Sequence, residues 1–185
     1  MTREQTTGGF SGLSLTDQLG ITPLINAGGP NTKHSGSRPR IETIRAMEAM
    51  SDVFVQIDEL LIAAGQRIAE LTGNEAATVT SGASGGMVVQ AAAAMARDDP
   101  DRISQLPITD GIPDELIIQR GHRFIYDHLY LAPGARFIEV GRPDGCTLEE
   151  VEAAITANTA GFIHLESPYK SAGAVPLPDL AELAH

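Results

Sequence analysis

The sequence predicts an α/β protein built on a parallel sheet. Three observations carry this expectation. Short β-prone segments alternate with helix-prone ones from about residue 76 onward. The small-residue turn Ser81-Gly82-Ala83-Ser84 joins a β-prone piece to a long Ala-rich run that suits a helix. Polar clusters at residues 81–84, 120–122 and 167–170 fall just after expected strands. In parallel α/β sheets ligands gather at those carboxyl ends.

Length and composition bound the function. The 185 residues suffice for a domain with a real core, and 42% of them are hydrophobic. The net charge of −11 argues against a nucleic-acid partner, because a phosphate backbone calls for a basic face. Cys146 is the lone cysteine, so no internal disulfide forms, which fits a reducing compartment. No apolar run approaches the roughly 18 residues that a membrane span needs. The first residues lack the apolar stretch of a secretion signal. The expectation is a cytoplasmic protein with no membrane partner. There is no metal-ligand spacing and no internal repeat.

In chain order, residues 1–13 are polar and Gly-rich and read as a flexible N-terminal arm. Residues 14–19 suit one helical turn. Residues 23–26 are extended. The polar loop 27–37 contains Lys33 and His34. It is no Walker A loop: no glycine directly precedes Lys33, and no strand–helix pair frames it. It reads as a solvated linker or a substrate lid. Residues 41–50 suit a helix. So do 53–71, where Val53, Ile57, Leu60, Leu61, Ala64, Ile68 and Leu71 recur at helical spacing and predict a core-facing side. Gly73 then stops the helix.

Residues 76–80 read as a strand and 84–97 as a helix. Between them, free N–H groups at the positive end of the helix dipole make an anion site suited to phosphate. An ordinary tight turn is the alternative. Residues 97–114 read as an irregular connection. Strands are expected at 115–119, 136–140 and 161–166. Thr147-Leu148-Glu149-Glu150 is a capping box that opens a helix to about 157. A last helix opens at Pro178-Asp179 and stops about two turns on, where another strand is expected. The chain reads as a piece of a longer protein, with a small complete domain as the alternative.

Several runs together resemble a known family. They are Ile68-Ala69-Glu70-Leu71-Thr72-Gly73-Asn74-Glu75-Ala76-Ala77, then Thr80 through Ser84, Leu106-Pro107, Ile117 through Arg123, Tyr126-Asp127-His128, Gly134-Ala135 and Glu139-Val140-Gly141. This set resembles the selenocysteine-synthase-like branch of the fold-type-I pyridoxal phosphate enzymes, closest to the D-glucosaminate-6-phosphate ammonia-lyase type. The likeness covers the N-terminal portion of such enzymes.

The resemblance implies a truncated aminotransferase-like large domain, three layers around a parallel sheet, spanning residues 14–185. It implies pyridoxal 5′-phosphate as cofactor, with Ser81, Gly82, Ala83 and Ser84 at the cofactor phosphate. It places His122 where such enzymes stack a ring over the pyridine, with His128 in reserve. Arg120 and Arg123 become candidates to hold an acidic substrate. Lys33 and His34 are candidates to reach the substrate or a neighbouring subunit's site. The implied activity is a lyase that removes an α-proton from an amino acid or amino sugar acid and eliminates a β-leaving group, in a protein that forms homo-oligomers. Selenocysteine-synthase-like transfer is one alternative, and a truncated, non-catalytic phosphate-binding or interaction domain is the other.

One departure is large. The family's covalent anchor is a lysine, and only Lys33 and Lys170 exist here. Neither stands in the family position. No catalytic residue is therefore assigned within the chain, and no turnover is expected from it alone.

Overall fold

The computed structural model describes residues 14–167, 169–170 and 172–184. The expected arm at residues 1–13 lies outside them. The chain divides into two compact units, Met1–Ile57 and Asp58–His185.

The first unit holds two helices. Helix α1 (Leu15–Gln18) opens on a capping box. The Asp17 N–H donates to Ser14 Oγ at 3.2 Å, and the Ser14 N–H donates to Asp17 Oδ2 at 3.3 Å. Helix α2 covers Ile41–Met50, as the sequence predicts. None of the described residues of this unit is buried.

The second unit carries the sheet. Strands β1 (Glu115–Gln119), β2 (Arg136–Val140) and β3 (Thr159–Ile163) are parallel, in the order β2-β1-β3. Central β1 is buried along its whole length, as a strand covered on both faces must be. Its side chains alternate. Leu116 and Ile118 join Ala91 and Met95 of α4 (Ala83–Ala96) in one core cluster. Ile117 joins Val140, Val151 of α6 (Leu148–Glu152), and Leu180 of α7 (Leu177–Ala184) in the other. Helices therefore cover both sheet faces, giving the three layers the pattern predicts. Among the described residues there is no helix long and apolar enough to cross a membrane, and no group of three His, Cys, Asp or Glu that could hold a metal ion.

Four expectations change. Residues 76–80 are extended but join no sheet, since no described strand lies beside them to accept their hydrogen bonds. Helix α3 runs Ile57–Thr72 and its apolar stripe is not the buried side: Ile57, Leu60, Leu61, Ile68 and Leu71 are exposed, while Gly65 and Ala69 are buried. At Gly65 the Ala77 backbone passes too close for any side chain. The connection at 97–114 contains helix α5 (Pro100–Gln105), capped by Asp99 with Pro100 in its first turn. Finally, α6 stops at Glu152, and β3 begins earlier than expected and ends before His164.

Candidate functional site

The turn at residues 81–84 is built by glycine. Gly82 caps α4 with φ 126° and ψ 177°, a conformation essentially reserved for glycine. No side chain caps this helix. The Gly86 N–H returns to the Gly82 carbonyl at 2.9 Å, and Thr80 Oγ1 donates to the same carbonyl at 3.0 Å. The Ala83, Ser84 and Gly85 N–H groups point out of the first turn, where the helix leaves its donors free. A Cβ at Gly85 would lie 2.7 Å from Ser81 Oγ, so Gly85 lets the Ser81 hydroxyl fold over the helix start. Ser81, Gly82, Ala83 and Ser84 are all exposed. Free amides, a positive dipole end and two hydroxyls suit a phosphate.

The carboxyl ends of β1 and β3 bring two histidines together. His122 sits on the 3-10 turn Arg120–His122 directly after β1, and His164 directly follows β3. Their rings meet edge to face, with centroids 4.6 Å apart. His122 is fully buried, so in this structure neither face of its ring is open for stacking. The Leu165 N–H donates to His122 Nδ1 at 3.3 Å. Neutral His122 therefore carries its proton on Nε2, and that donor has no partner among the described residues. His164 reaches Glu166 Oε2 through Nε2 at 3.3 Å. His164 was not among the sequence candidates. The sequence placed it inside the strand expected at 161–166, so its position at a strand end was not legible.

Burial, and then the adjacent His164, hold the His122 imidazole below its ordinary range; Lys170 reinforces this and Glu166 opposes it. The folded value lies below the unfolded one, near 6.5, so the unfolded chain binds more protons between the two. This contribution to stability is fully present above about pH 6.5 and is lost as pH falls through that window. Melting by circular dichroism is expected to show a lower Tm in acid, with a flatter profile in His122→Gln.

The arginines are engaged within the chain. The Arg123 guanidinium donates to Asp127 and to Glu139 and lies over the Phe137 ring, 4.8 Å from its centroid. Burial alone would raise the Asp127 carboxyl; hydrogen bonds from Arg123 and from the Phe124 N–H overcome it and hold Asp127 low. Arg120 reaches Glu139 at 3.2 Å and is half exposed. His128 is exposed and meets the Ile125 carbonyl at 3.1 Å through Nδ1. Lys170 is exposed and donates from Nζ to the Arg123 carbonyl. Lys33 and His34 belong to the first unit, at the tip of a loop closed by Asn31 and Gly36.

Gln119, at the end of β1, fixes the chain that follows β3. Its buried amide accepts from the Val175 N–H at 2.7 Å and donates to the Val175 carbonyl at 3.2 Å. Gln119→Leu would strand both backbone groups, and urea titration is expected to show a loss of about 3 kcal/mol.

No family model matches the chain. It is 33% identical over 154 residues to a 5′-C-glycyluridine monooxygenase-decarboxylase of Streptomyces sp, covering 80% of this chain and 39% of that protein. It is 30% identical over 176 residues to the D-glucosaminate-6-phosphate ammonia lyase of Salmonella typhimurium, covering 92% of this chain and 48% of that protein. A solved structure of D-glucosaminate-6-phosphate ammonia-lyase superposes with a TM-score of 0.87 at 29% identity, over 94% of this chain and 48% of that one. The chain is thus similar to a D-glucosaminate-6-phosphate ammonia-lyase in sequence and in structure, and spans less than half the length of the curated relatives it matches.

Proposed function

We propose that the chain is the cofactor-phosphate-holding part of a pyridoxal phosphate lyase of fold type I. Its substrate is an amino acid or amino sugar acid, which loses its α-proton and then a β-leaving group. The observation that carries this is the glycine-built turn at residues 81–84, read with the structural likeness over 94% of the chain.

The Ala83, Ser84 and Gly85 N–H groups hold the cofactor phosphate, helped by the Ser81 and Ser84 hydroxyls and the α4 dipole. Bound there, pyridoxal phosphate supplies an electron sink for the charge left by α-proton removal. His122, buried as it is, does not reach the cofactor ring by stacking; its Nε2–H has no acceptor among the described residues and is the atom it can offer. Arg120, half exposed with one carboxylate partner, is better placed than Arg123 to take a substrate carboxylate. Turnover needs a Schiff-base lysine, and neither Lys33 nor Lys170 stands in the family position for one.

The test is the product. Expressed with its complete coding sequence and supplied with pyridoxal phosphate, the protein is expected to release ammonia and a keto acid from D-glucosaminate 6-phosphate without consuming oxygen. Oxygen uptake with carbon dioxide release would instead favour the chemistry named for the Streptomyces relative. Neither product would leave the non-catalytic binding domain.

A further inference from the structure

Two buried polar atoms at the carboxyl ends of β1 and β3 have no hydrogen-bond partner among the described residues. They are His122 Nε2 and His164 Nδ1. Their polarity is opposite, and the bonds around them fix it. The Leu165 N–H donates to His122 Nδ1 at 3.3 Å, so that nitrogen offers its lone pair and Nε2 carries the proton of the neutral ring. His164 Nε2 lies 3.3 Å from Glu166 Oε2. A carboxylate oxygen only accepts, so Nε2 carries the proton of neutral His164 and Nδ1 is left as a bare acceptor. One ring presents an unused donor and the other an unused acceptor.

The two rings pack edge to face, with centroids 4.6 Å apart and planes at 89°. His122 is fully buried and the His164 side chain is 10% exposed, and neither orphaned atom is open to bulk water. The charged groups beside His122 do not close the pair. Lys170 can only donate, and its Nζ is bonded to the Arg123 carbonyl. Glu166 is the partner of His164 Nε2 and is otherwise solvent-facing. Buried polar atoms in folded proteins are nearly all hydrogen-bonded. Orphans of opposite polarity on adjoining rings therefore call for a group that accepts from one and donates to the other. A hydroxyl does both through a single oxygen. A carboxylate only accepts and an ammonium only donates, so either would leave one nitrogen unpaired.

We infer that His122 and His164 form a binding site for one hydroxyl oxygen, that of a water molecule or of a small alcohol. The oxygen accepts from His122 Nε2–H and donates its own proton to His164 Nδ1. Leu165 and Glu166 act through the two rings, each holding one imidazole in the tautomer the site needs. The site calls for no phosphate and no cofactor, so it stands apart from the function proposed above.

The test is nuclear magnetic resonance on the isotope-labelled chain. Long-range proton–nitrogen correlation is expected to show both rings protonated on Nε2, and His122 Nε2–H is expected to show a cross-peak to one long-lived hydroxyl. A cross-peak at the water frequency in the chain alone identifies water as the source. One that arises only on titration with ethanol, and saturates, identifies an alcohol. His164→Phe keeps a ring beside His122 but removes the acceptor, and should reduce the cross-peak at least about fivefold, with an unchanged Leu165 N–H shift reporting that the fold is kept. Glu166→Gln still offers an oxygen to His164 Nε2–H and should keep the cross-peak. Acetate, which cannot donate, should not compete with ethanol. A crystal structure of the unsubstituted chain gives a second reading: one oxygen about 3 Å from both nitrogens is expected. His164 protonated on Nδ1 would overturn the site. So would the lack of any hydroxyl cross-peak with water and with ethanol, an unchanged cross-peak in folded His164→Phe, equal competition by acetate, or no shared oxygen in the crystal.

Discussion

Gly82→Ala is expected to weaken pyridoxal phosphate binding about 10- to 100-fold and to lower the melting temperature by a few degrees. At φ 126° and ψ 177° a Cβ costs roughly 1–3 kcal/mol, so alanine either strains the turn or swings it away. Swinging the turn re-aims the N–H groups that face the phosphate. Nothing lies within 4 Å of a Cβ placed at Gly82, so the effect is conformational and not a clash. Ser84→Ala, which removes one hydroxyl donor and keeps the backbone, should cost less, about 1 kcal/mol or some fivefold. Fluorescence titration of the two variants separates a backbone cradle from a side-chain one. Equal losses would place the binding energy in the hydroxyls.

Gly65→Val should be strongly destabilising to the second unit. A Cβ at Gly65 would sit 2.1 Å from the Ala77 carbonyl oxygen and 3.2 Å from its carbon. Both are backbone atoms, so relief requires moving the chain. Even Gly65→Ala, which gains about 1 kcal/mol of helix propensity, should lose on balance. The displacement costs about 3 kcal/mol and lowers Tm by about 5 °C net. The consequence reaches the site, because Ala77 lies on the extended segment that enters the turn at residues 81–84. Gly65→Ala is therefore expected to weaken pyridoxal phosphate binding as well. A variant with wild-type Tm would show that α3 and this segment do not approach as closely as the structure has them.

The parts of this architecture that were legible are those set by local chemistry. Residues 115–119 and 136–140 begin and end where the sequence places them, because apolar β-prone runs bounded by turn residues need little from their surroundings. The Thr147–Glu150 capping box was readable for the same reason, although α6 stops at Glu152. The parts that were not legible depend on partners distant in sequence. Residues 76–80 have strand propensity, but a strand is defined by what it pairs with. The apolar stripe of α3 marks a face that some surface must cover, without showing that Gly65 and Ala69 make the contact within this unit. Helix α5 was readable in principle, since Asp99 followed by Pro100 is a start signal. At the site, the tight turn before α4 showed itself as a run of small residues. The His122–His164 contact joins positions 42 apart that only the β1–β3 pairing brings together. Arg123 read as a candidate for substrate because sequence cannot show that Asp127 and Glu139 already surround it.

The central claim is that the turn at residues 81–84 binds this chain's cofactor by its phosphate. Titrating the 185-residue chain in parallel with pyridoxal 5′-phosphate and with pyridoxal tests it most directly. The account predicts saturable binding of pyridoxal phosphate, at least about 100-fold tighter than pyridoxal and weakened about 10- to 100-fold in Gly82→Ala. Equal affinity for the two compounds, or an unchanged affinity in Gly82→Ala, would contradict it.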